Sequence, residues 1–277
     1  MNIIICDDDE AQVVQIERFL SLGYDVLCVN LVDRTNAAPI IDKAMEADIP
    51  IVFFNREPVP EDMEKWDRLC YVGSDARQSA ELEAQIILDL WERDPQALDR
   101  NGDGVIQYIM MEGERRHQDT VIRTEGTIQA LRDGGLELER LDSGIANWDR
   151  TQAQALMAGY LDQYGGQVEL VICNNDDMAL GVADAVEEAN LDFHNIVGID
   201  GTAAGATAVS QGKLLGTVAM QPEIHGRTVF RLAMELASGK TVSEMEELGP
   251  DRSVRVPMEI LSRSNRKEEM KHETLIH

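Results

Sequence analysis

The chain has 277 residues, of which 44% are hydrophobic and 27% are charged, and its formal net charge is -26 at pH 7. This composition is typical of a soluble globular protein with one large or two medium-sized domains. An acidic surface repels phosphate backbones, so nucleic acid is not an expected partner. No apolar run approaches the ~20 residues that a membrane-spanning helix needs, and we identify no signal peptide ahead of the first predicted strand.

Short apolar runs alternate with amphipathic stretches along nearly the whole chain. In chain order, the pattern predicts Asn2–Cys6 (strand), Glu10–Leu22 (helix), Asp25–Asn30 (strand), Asn36–Ala47 (helix), Pro50–Phe54 and Leu69–Gly73 (strands), Ala76–Trp91 (helix), Val105–Met111 (strand), Asp119–Asp133 (helix), Leu136–Leu141 (strand), Arg150–Tyr164 (helix), Val168–Cys173 (strand), Asp177–Ala189 (helix), Asn195–Ile199 (strand), Ala203–Gln211 (helix), Leu214–Ala219 (strand), Pro222–Ala237 (helix) and Ser253–Ile260 (strand). This alternation predicts an α/β protein whose parallel sheets are covered by helices on both faces. Ligands of such sheets bind beyond the carboxyl ends of the strands, so polar residues that follow strands are the candidate binding residues.

Three of the four cysteines, Cys6, Cys28 and Cys173, lie in apolar runs that are typical of buried strands. No CxxC pair occurs, so we expect small core residues rather than disulfides or a metal site. Cysteine usage therefore indicates no particular compartment.

The segment DRNGDGVIQ has the spacing of a calcium-binding loop. Oxygen-bearing side chains stand at loop positions one, three, five and nine: Asp99, Asn101, Asp103 and Gln107. Gly104 stands at position six, where an EF-hand loop turns sharply, and Val105 at position seven would offer its backbone carbonyl. Position twelve is Met110 instead of the usual bidentate Glu, so a distant carboxylate must complete the shell. The pattern predicts bound calcium, and the alternative is an Asx-rich surface turn without metal.

Nine segments carry a family resemblance: NLVD, VFFNREP, YVGSD, DRNGDGVIQ, GERRHQD, NWD, VICNNDDMALG, GID and GTV. In this order, from about Gln12 to Ile260, the chain resembles the periplasmic galactose/glucose-binding proteins, which are type I sugar-binding proteins of ABC importers. The resemblance implies two lobes, each a parallel sheet flanked by helices, with the ligand in the cleft between them. It implies an N-terminal lobe of residues 1–73 and 221–252, and a C-terminal lobe of residues 74–219 and 254–277 that carries the calcium loop 99–107.

The resemblance also implies the residues of two sites. The sugar would be bound by Asn55, His117, Asp119, Arg123, Trp148, Asn175 and Asp200. Structural calcium would be held by Asp99, Asn101, Asp103, the Val105 carbonyl, Gln107 and Glu169. The residue types suit a neutral sugar, because its hydroxyls both donate and accept hydrogen bonds and the Trp148 indole offers a flat apolar face. Taken singly, Asn175 is equally explained as a helix N-cap and Asp119 as an acid in a first helical turn.

The implied function is non-catalytic binding of a galactose- or glucose-like monosaccharide for an ABC-type importer, with a chemoreceptor as a further partner. The protein would be a monomer that closes its lobes about hinges. It would be periplasmic or, in a Gram-positive cell, extracellular and lipid-anchored. We find no triad order, GxSxG, P-loop or zinc signature, so an enzyme is not expected. Two alternatives stay open: a sugar-sensing domain of a transcriptional or two-component regulator, and a truncated paralogue that does not bind.

The chain departs from the family pattern at two places. The stretch QVVQIERFLSLG resembles the family's second helix, so Asn2–Cys6 corresponds to the second strand, and the first strand and helix have no counterpart. We expect either a misplaced gene start or a truncated gene. After GTV, Met220 stands where the family often has an Asn or Gln that contacts the sugar, and the adjacent Gln221 could replace it. A different monosaccharide is therefore an open alternative.

Overall fold

The computed structural model describes residues 8–262 and divides them into two compact units. The first unit contains residues 8–75 together with Gln221–Pro257. The second contains Ala76–Met220 and residues 258–262. The predicted strand Asn2–Cys6 lies outside the described residues. No helix within residues 8–262 is long and apolar enough to cross a membrane.

Within residues 8–262, the first unit is a four-stranded parallel sheet with helices on both faces. Its strands are β1 (Leu27–Val29), β2 (Ile51–Phe54), β3 (Leu69–Gly73) and β9 (Ser253–Arg255), its helices are α1 (Asp9–Ser21), α2 (Ala38–Glu46), α3 (Pro60–Met63) and α10 (Pro222–Ala237), and 3-10 turns cover Arg34–Asn36 and Val242–Glu244. The sheet order is β1-β2-β3-β9. Successive strand residues point to opposite faces, so Phe53 and Tyr71 pack with α1 and α2, whereas Val52, Cys70 and Val72 pack with α10.

The second unit is a six-stranded sheet that is also covered on both faces. Its strands are β4 (Ile106–Glu112), β5 (Leu138–Ile145), β6 (Leu170–Cys173), β7 (Ile196–Asp200), β8 (Gly216–Ala219) and β10 (Glu259–Ser262), its helices are α4 (Ala76–Arg93), α5 (Pro95–Leu98), α6 (Gln118–Asp133), α7 (Arg150–Tyr164), α8 (Asp176–Glu188) and α9 (Ala203–Gln211), and a 3-10 turn covers Gly165–Gln167. The sheet order is β10-β8-β7-β6-β4-β5, with only β10 antiparallel. From β5 to β8 the strand order is that of a flavodoxin-like doubly wound sheet. The chain adds strands on one side of β4 first and then on the other, so the strand order reverses between β4 and β6.

The central strand β4 shows how the sequence builds this sheet. Ile109 and Met111 are buried among residues of α7 and α8, whereas Tyr108 and Met110 are buried among residues of α4 and α6. A strand buried on both faces needs a continuous apolar run, which is what the sequence supplies. The predicted α/β class with parallel sheets flanked by helices is confirmed.

One predicted boundary between the lobes is wrong. The sequence assigned residues 254–277 to the second lobe. Ser253–Arg255 instead pairs in parallel with Leu69–Gly73, which places it in the sheet of the first unit. The predicted strand Ser253–Ile260 is therefore two strands in two sheets, and the break lies at Pro257, which has no N–H to donate to a strand ladder.

The expectation of buried cysteines holds for Cys173 but not for Cys28. Both are free cysteines, and Cys173 is buried whereas Cys28 is exposed. Its neighbours Leu27 and Val29 are buried, because they point to the opposite face of β1. β1 is the first strand in the order of its sheet within the described residues, so its second face is less covered than that of an inner strand.

Candidate functional site

Polar residues of the second unit gather at the carboxyl ends of its parallel strands. His117 follows β4, Trp148 follows β5, Asn175 follows β6, and β7 ends at Asp200. β4 and β6 flank the point where the sheet order reverses, which is where open α/β sheets form a ligand crevice. The structure brings six of the seven predicted sugar-binding residues together in this unit, and the seventh, Asn55, belongs to the first unit.

Arg123 is the centre of these contacts. Its side chain is buried, with Nη2 donating to Asp119 Oδ2 at 3.0 Å and Nη1 donating to the backbone oxygen of Asn174 at 2.8 Å. Asp200 Oδ1 lies 4.0 Å from the same Nη1. The Nε of Arg123 is buried and has no hydrogen-bond partner within residues 8–262. A guanidinium with two neighbouring carboxylates offers both donors and acceptors to a polar ligand.

The start of α6 orients His117 and Asp119. His117 is the N-cap residue of α6, and its Nδ1 accepts a hydrogen bond from the Asp119 N–H at 3.2 Å. In the neutral ring this leaves the proton on Nε2. The imidazole also packs edge-on against the Trp148 ring, with 5.1 Å between centroids. The cap explanation and the binding explanation therefore apply to the same residue.

The Trp148 indole lies against a glycine that the sequence analysis did not single out. A Cβ at Gly113 would come within 2.2 Å of the indole, so only glycine allows this approach. Trp148 has a φ of 64°, in the left-handed region that large side chains rarely adopt. The Arg123 guanidinium carbon lies 6.0 Å from the ring centroid. Strained backbone at a residue of this size is typical of binding sites.

The segment NND after β6 links the strand ends to one another. Asn175 caps α8 by accepting from the Met178 N–H at 3.0 Å, and its Nδ2 donates to the backbone oxygen of Trp148 at 3.4 Å. Asn174 is fully buried, and its Oδ1 accepts from the Gly113 N–H at 3.1 Å. Asn174 was not among the predicted site residues. Its position directly after an apolar strand is the signal that could have identified it.

Asp200 is an acid whose charge changes near neutral pH. Burial raises the pKa of Asp200 to about 7, with Asp176 and Asp119 adding to the rise and Arg123 opposing it. The Asp200 side chain keeps 36% of its exposure, and its φ is 122°. The nearby Asp176 is fully buried, and its carboxylate accepts hydrogen bonds from the Thr217 hydroxyl and the Thr202 N–H. Asp176 therefore links the ends of β6 and β7 to β8, whereas the Asp200 side chain stays partly accessible.

Met220 stands beside Asp200 at the end of β8. Its N–H donates to the backbone oxygen of Asp200 at 3.0 Å. A thioether is only a weak acceptor, so this position offers packing rather than a hydrogen bond. The following residue, Gln221, has a φ of 51° and begins the first unit as the N-cap of α10.

In the first unit, Asn55 follows β2 with a φ of 62°. Its Nδ2 donates to Asn30 Oδ1 at 3.5 Å, and the Tyr71 hydroxyl donates to its backbone oxygen at 2.8 Å. Asn30 also accepts from the Arg56 N–H at 3.4 Å. Asn30 was not among the predicted site residues, although it follows β1 in the NLVD segment and so carries the same signal as Asn55.

The loop 99–107 is a chain of Asx turns. The Asp99 carboxylate accepts from the N–H groups of two loop glycines at 2.8 and 3.0 Å. Asn101 Nδ2 donates to Gln107 Oε1 at 2.8 Å, and Gln107 Nε2 donates to Asp103 Oδ2 at 3.0 Å. The predicted side-chain ligands within the loop are therefore neighbours of one another.

Glu169 lies against this loop, although it is 62 residues further along the chain than Gln107. It is 1% exposed and directly precedes β6. Its Oε1 accepts from the N–H groups of Arg100 and Asn101 at 2.6 and 3.0 Å, and its Oε2 accepts from the Gln107 N–H at 3.2 Å. A buried carboxylate thus joins the loop to the sheet.

The donor set fits a hard cation by type, because every side chain in it offers an oxygen. Those oxygens are held by N–H groups of the same loop, as in the bond from Val105 N–H to Asp103 Oδ1 at 2.8 Å. Across residues 8–262, no group of three or more His, Cys, Asp or Glu lies close enough to hold a metal ion. Any cation here would therefore also depend on the amide oxygens of Asn101 and Gln107.

Two α/β units joined by three passages of the chain, each with polar residues at strand ends, define a two-unit periplasmic-binding-protein fold. The periplasmic binding protein domain family matches residues 5–241, and the chain belongs to this family. The family resemblance drawn from the sequence is thereby confirmed.

Relatives and solved structures agree with this assignment. The chain is 33% identical over 262 residues to the D-galactose/methyl-galactoside binding periplasmic protein of Haemophilus influenzae, a match that covers 93% of this chain and 78% of the relative. It is 31% identical over 263 residues to a putative rhizopine-binding protein of Rhizobium meliloti, covering 94% and 78% respectively. An ABC transporter solute binding protein from Bacillus halodurans, solved with bound myo-inositol, superposes with a TM-score of 0.77 at 30% identity, covering 95% of this chain and 83% of that chain.

Proposed function

We propose that the protein binds a neutral monosaccharide, D-galactose or D-glucose, without transforming it, and delivers it to an ABC importer. The observation that carries the proposal is the cluster around Arg123, in which one guanidinium lies beside Asp119 and Asp200 and near the Trp148 ring. Adjacent sugar hydroxyls can donate to the carboxylates and accept from the guanidinium. An epimer with one hydroxyl on the wrong side would leave a buried charged group unpaired, which is a strong basis for selection.

The ligand class is supported by charge and by a relative. The formal net charge of -26 disfavours an anionic ligand such as a sugar phosphate. The Haemophilus influenzae relative is named for binding D-galactose and methyl-galactoside. A flat indole next to paired donors and acceptors suits a six-membered ring that has one apolar face.

A second candidate ligand is myo-inositol. The Bacillus halodurans protein, at 30% identity, was solved with this cyclitol bound. myo-Inositol presents a ring of hydroxyls without a ring oxygen or an exocyclic CH₂OH group. The residue type at position 220 supports this candidate, because methionine has no N–H or O–H to donate to a ring oxygen, which myo-inositol lacks.

Calorimetric titration of the chain with D-galactose, D-glucose and myo-inositol tests the proposal and ranks the candidates. We expect one-site binding of at least one of the three. Arg123→Met should weaken that binding by roughly 100-fold or more, since it removes a buried, hydrogen-bonded charge. Arg132→Met, at an exposed position of the same helix, is the matched control and should bind as the wild type does. Binding that survives in Arg123→Met would contradict this site.

The absence of turnover is part of the proposal. The paired acids Asp119 and Asp200 both lie next to Arg123, whereas glycosidases place two carboxyl groups on either side of a scissile bond. We expect no product when the chain is incubated with galactosides. Delivery to the membrane subunits of an ABC importer, recognition by a chemoreceptor and a periplasmic or lipid-anchored location complete the proposal. Ligand-dependent stimulation of the importer's ATPase in vesicles would test the first of these.

We also propose that the loop 99–107 and Glu169 bind structural calcium. The support is the all-oxygen donor set of Asp99, Asn101, Asp103 and Gln107, together with a buried carboxylate that already contacts the loop backbone. The ion would neutralise part of the negative charge gathered there and hold the loop against β6. It would have no role in contacting the sugar.

A further inference from the structure

Glu83 is a fully buried carboxyl group in α4 of the second unit, and no element of the predicted sites accounts for it. Its Oε2 lies 2.9 Å from the hydroxyl of Thr127 on α6. Its Oε1 is buried and has no hydrogen-bond partner within the described part of the chain. An ionised carboxylate left in this position would have one oxygen without any donor, which is costly in a protein interior.

The hydrogen bonds of Thr127 indicate which form Glu83 takes. The Thr127 hydroxyl has one proton, but it lies within reach of two acceptors, Glu83 Oε2 at 2.9 Å and the backbone oxygen of Ala80 at 3.4 Å. One proton cannot serve both acceptors. When Glu83 is protonated, its own O–H can donate to Thr127 Oγ1, and Thr127 can donate to Ala80. With the neutral acid both hydrogen bonds of Thr127 can form, whereas with the carboxylate only one can. Oε1 has no donor in either form, and this lack costs more free energy when the group is charged.

Glu83 lies close to the residue on which the proposed binding site depends. Thr127 is one helical turn after Arg123 on α6, so the two share a face. Both are buried, and the Nε of Arg123 has no partner within residues 8–262, just as Oε1 of Glu83 has none. Ionised Glu83 would therefore attract the guanidinium toward α4 and compete with Asp119 and Asp200 for it.

Burial, rather than the charged groups around it, favours the neutral form of Glu83. Burial raises the pKa of Glu83 to about 8, opposed by the Thr127 hydrogen bond and by Arg123 and supported by Asp176. The Cys173 thiol nearby stays neutral, because burial raises its pKa well above its ordinary value. The other elements packed against α4 bring Asp200 at the end of β7 and Glu259 of β10, which is exposed.

We propose that Glu83 is a positioning residue that is held protonated, fixes Arg123 through Thr127 and α6, and weakens ligand binding when it ionises. The inference rests on the proposed function, because it needs a ligand bound by Arg123. Ionisation of Glu83 should lower the ligand affinity above pH 8. Ionisation of Asp200 should change the affinity at a lower pH, near 7.

The test is a calorimetric titration from pH 6 to 9.5 with whichever of D-galactose, D-glucose and myo-inositol binds the wild type most tightly at pH 7. In the wild type, Kd should rise by roughly 5- to 10-fold between pH 7.5 and 9.5, the size expected when one charge-assisted hydrogen bond is weakened. Glu83→Gln copies the neutral acid, so it should bind like the wild type at pH 7 and show no alkaline rise. Glu81→Gln, an exposed position of the same helix, is the control and should follow the wild type.

Two further measurements separate a positioning role from a structural one. Thr127→Val removes the hydroxyl that forms a hydrogen bond with Glu83, so the pH at which the alkaline rise occurs should differ from that of the wild type. Because the folded-state pKa of Glu83 exceeds its ordinary value of 4.5, the native state binds more protons between pH 4.5 and 8, and this group's contribution to stability falls across that window. Glu83→Gln should therefore gain melting temperature relative to the wild type as pH rises from 5 to 8.

The inference is overturned if Glu83→Gln keeps the alkaline rise, if it loses binding at pH 7 while still folded, or if Kd of the wild type is constant to pH 9.5. An unmoved rise in Thr127→Val also counts against it. If none of the three ligands binds the wild type at any pH, the proposed function fails and the positioning role fails with it. The melting comparison would then still report whether Glu83 is protonated.

Discussion

The Tyr71 hydroxyl donates a hydrogen bond of 2.8 Å to the backbone oxygen of Asn55. Asn55 needs this support, because its φ of 62° lies in the left-handed region that costs free energy for any residue but glycine. Tyr71 is itself fixed: its ring covers Gly73 so closely that a Cβ there would lie 1.8 Å from the hydroxyl oxygen. The guanidinium of Arg255, on β9, lies 5.1 Å from the centroid of the Tyr71 ring. The first unit thus orients its predicted sugar-binding residue, Asn55, through the buried ring of Tyr71.

Tyr71→Phe removes this hydroxyl and leaves the ring in place. We expect the affinity for the bound ring ligand to fall by roughly 5- to 10-fold, because Asn55 loses the hydrogen bond that holds its backbone. Tyr164→Phe is the matched control, since it removes a hydroxyl that donates to the Leu141 backbone oxygen away from Asn55. Calorimetric titration of both variants measures the difference. Equal affinities would show that Tyr71 does not act on the ligand.

Gly113→Ala should displace the Trp148 indole from the position in which it can contact a ligand. The added Cβ would come within 2.2 Å of the indole, so the ring must move. We expect the ligand affinity to fall by roughly 10-fold or more, as stacking on an aromatic face is lost. Gly159→Ala, inside α7 and without any atom within 4 Å of the new methyl group, is the control. It should bind normally and gain about 0.5–1 kcal/mol of stability. Normal binding by Gly113→Ala would contradict the role of the indole.

The alternation of apolar runs predicted most of the fold, because a strand that is buried on both faces has a continuous apolar sequence. Helix α7 has the predicted bounds Arg150–Tyr164. The six polar residues of the second unit could be predicted to meet because parallel strands end at one edge of a sheet. Contacts between segments that are distant in the sequence produce no local sequence pattern. Glu83 is one of several charged residues of α4, and its sequence gives no sign that it is buried until Thr127, 44 residues away, is placed against it.

The exposed thiol of Cys28 and the divided strand at Pro257 have the same cause. An apolar run shows that a strand exists, but it does not show how many neighbours the strand has or which sheet it joins. The pairing of Ser253–Arg255 with β3 is a choice between two sheets that no local pattern makes. The indole of Trp148 against Gly113 is likewise visible only once β4 and β5 are paired.

The raised pKa of Asp200 predicts that ligand affinity falls when the pH is lowered below about 7. With a pKa of about 7, Asp200 is mostly protonated at pH 6 and mostly ionised at pH 8. The ionised form accepts hydrogen bonds from ligand hydroxyls more strongly, so affinity should rise between pH 6 and 7.5. Asp200→Asn should bind more weakly and lose this rise, whereas the exposed control Asp162→Asn should keep it. An unchanged rise in Asp200→Asn would exclude Asp200 as its cause.

The same shift has a consequence for stability. The folded-state pKa of Asp200 exceeds its ordinary value of 3.8, so its contribution to the free energy of unfolding declines as pH rises from about 4 to 7. Asp200→Asn should therefore melt at a higher temperature than the wild type at pH 8, with a smaller difference at pH 4.5. A melting difference that does not depend on pH would show that the Asp200 pKa is not raised.

Calcium removal should destabilise the second unit if the loop 99–107 binds the ion. At a calcium concentration of about 100 times Kd, binding adds about 2.7 kcal/mol to the free energy of unfolding. In a protein of this size, excess chelator should then lower the melting temperature by about 5 °C or more. Differential scanning calorimetry with and without chelator measures this change.

Asp103→Asn distinguishes the contribution of a bound ion to stability from that of the Asx turn itself. The Asn side chain can still accept from the Val105 N–H, as Asp103 Oδ1 does now, so the loop should fold, but one carboxylate is lost. We expect the variant to melt like the calcium-free wild type and to gain little from added calcium. Asp133→Asn, an exposed acid outside the loop, should keep the full calcium response. A wild-type melt that chelator leaves unchanged would mean that the Asx turns and Glu169 hold the loop without a metal.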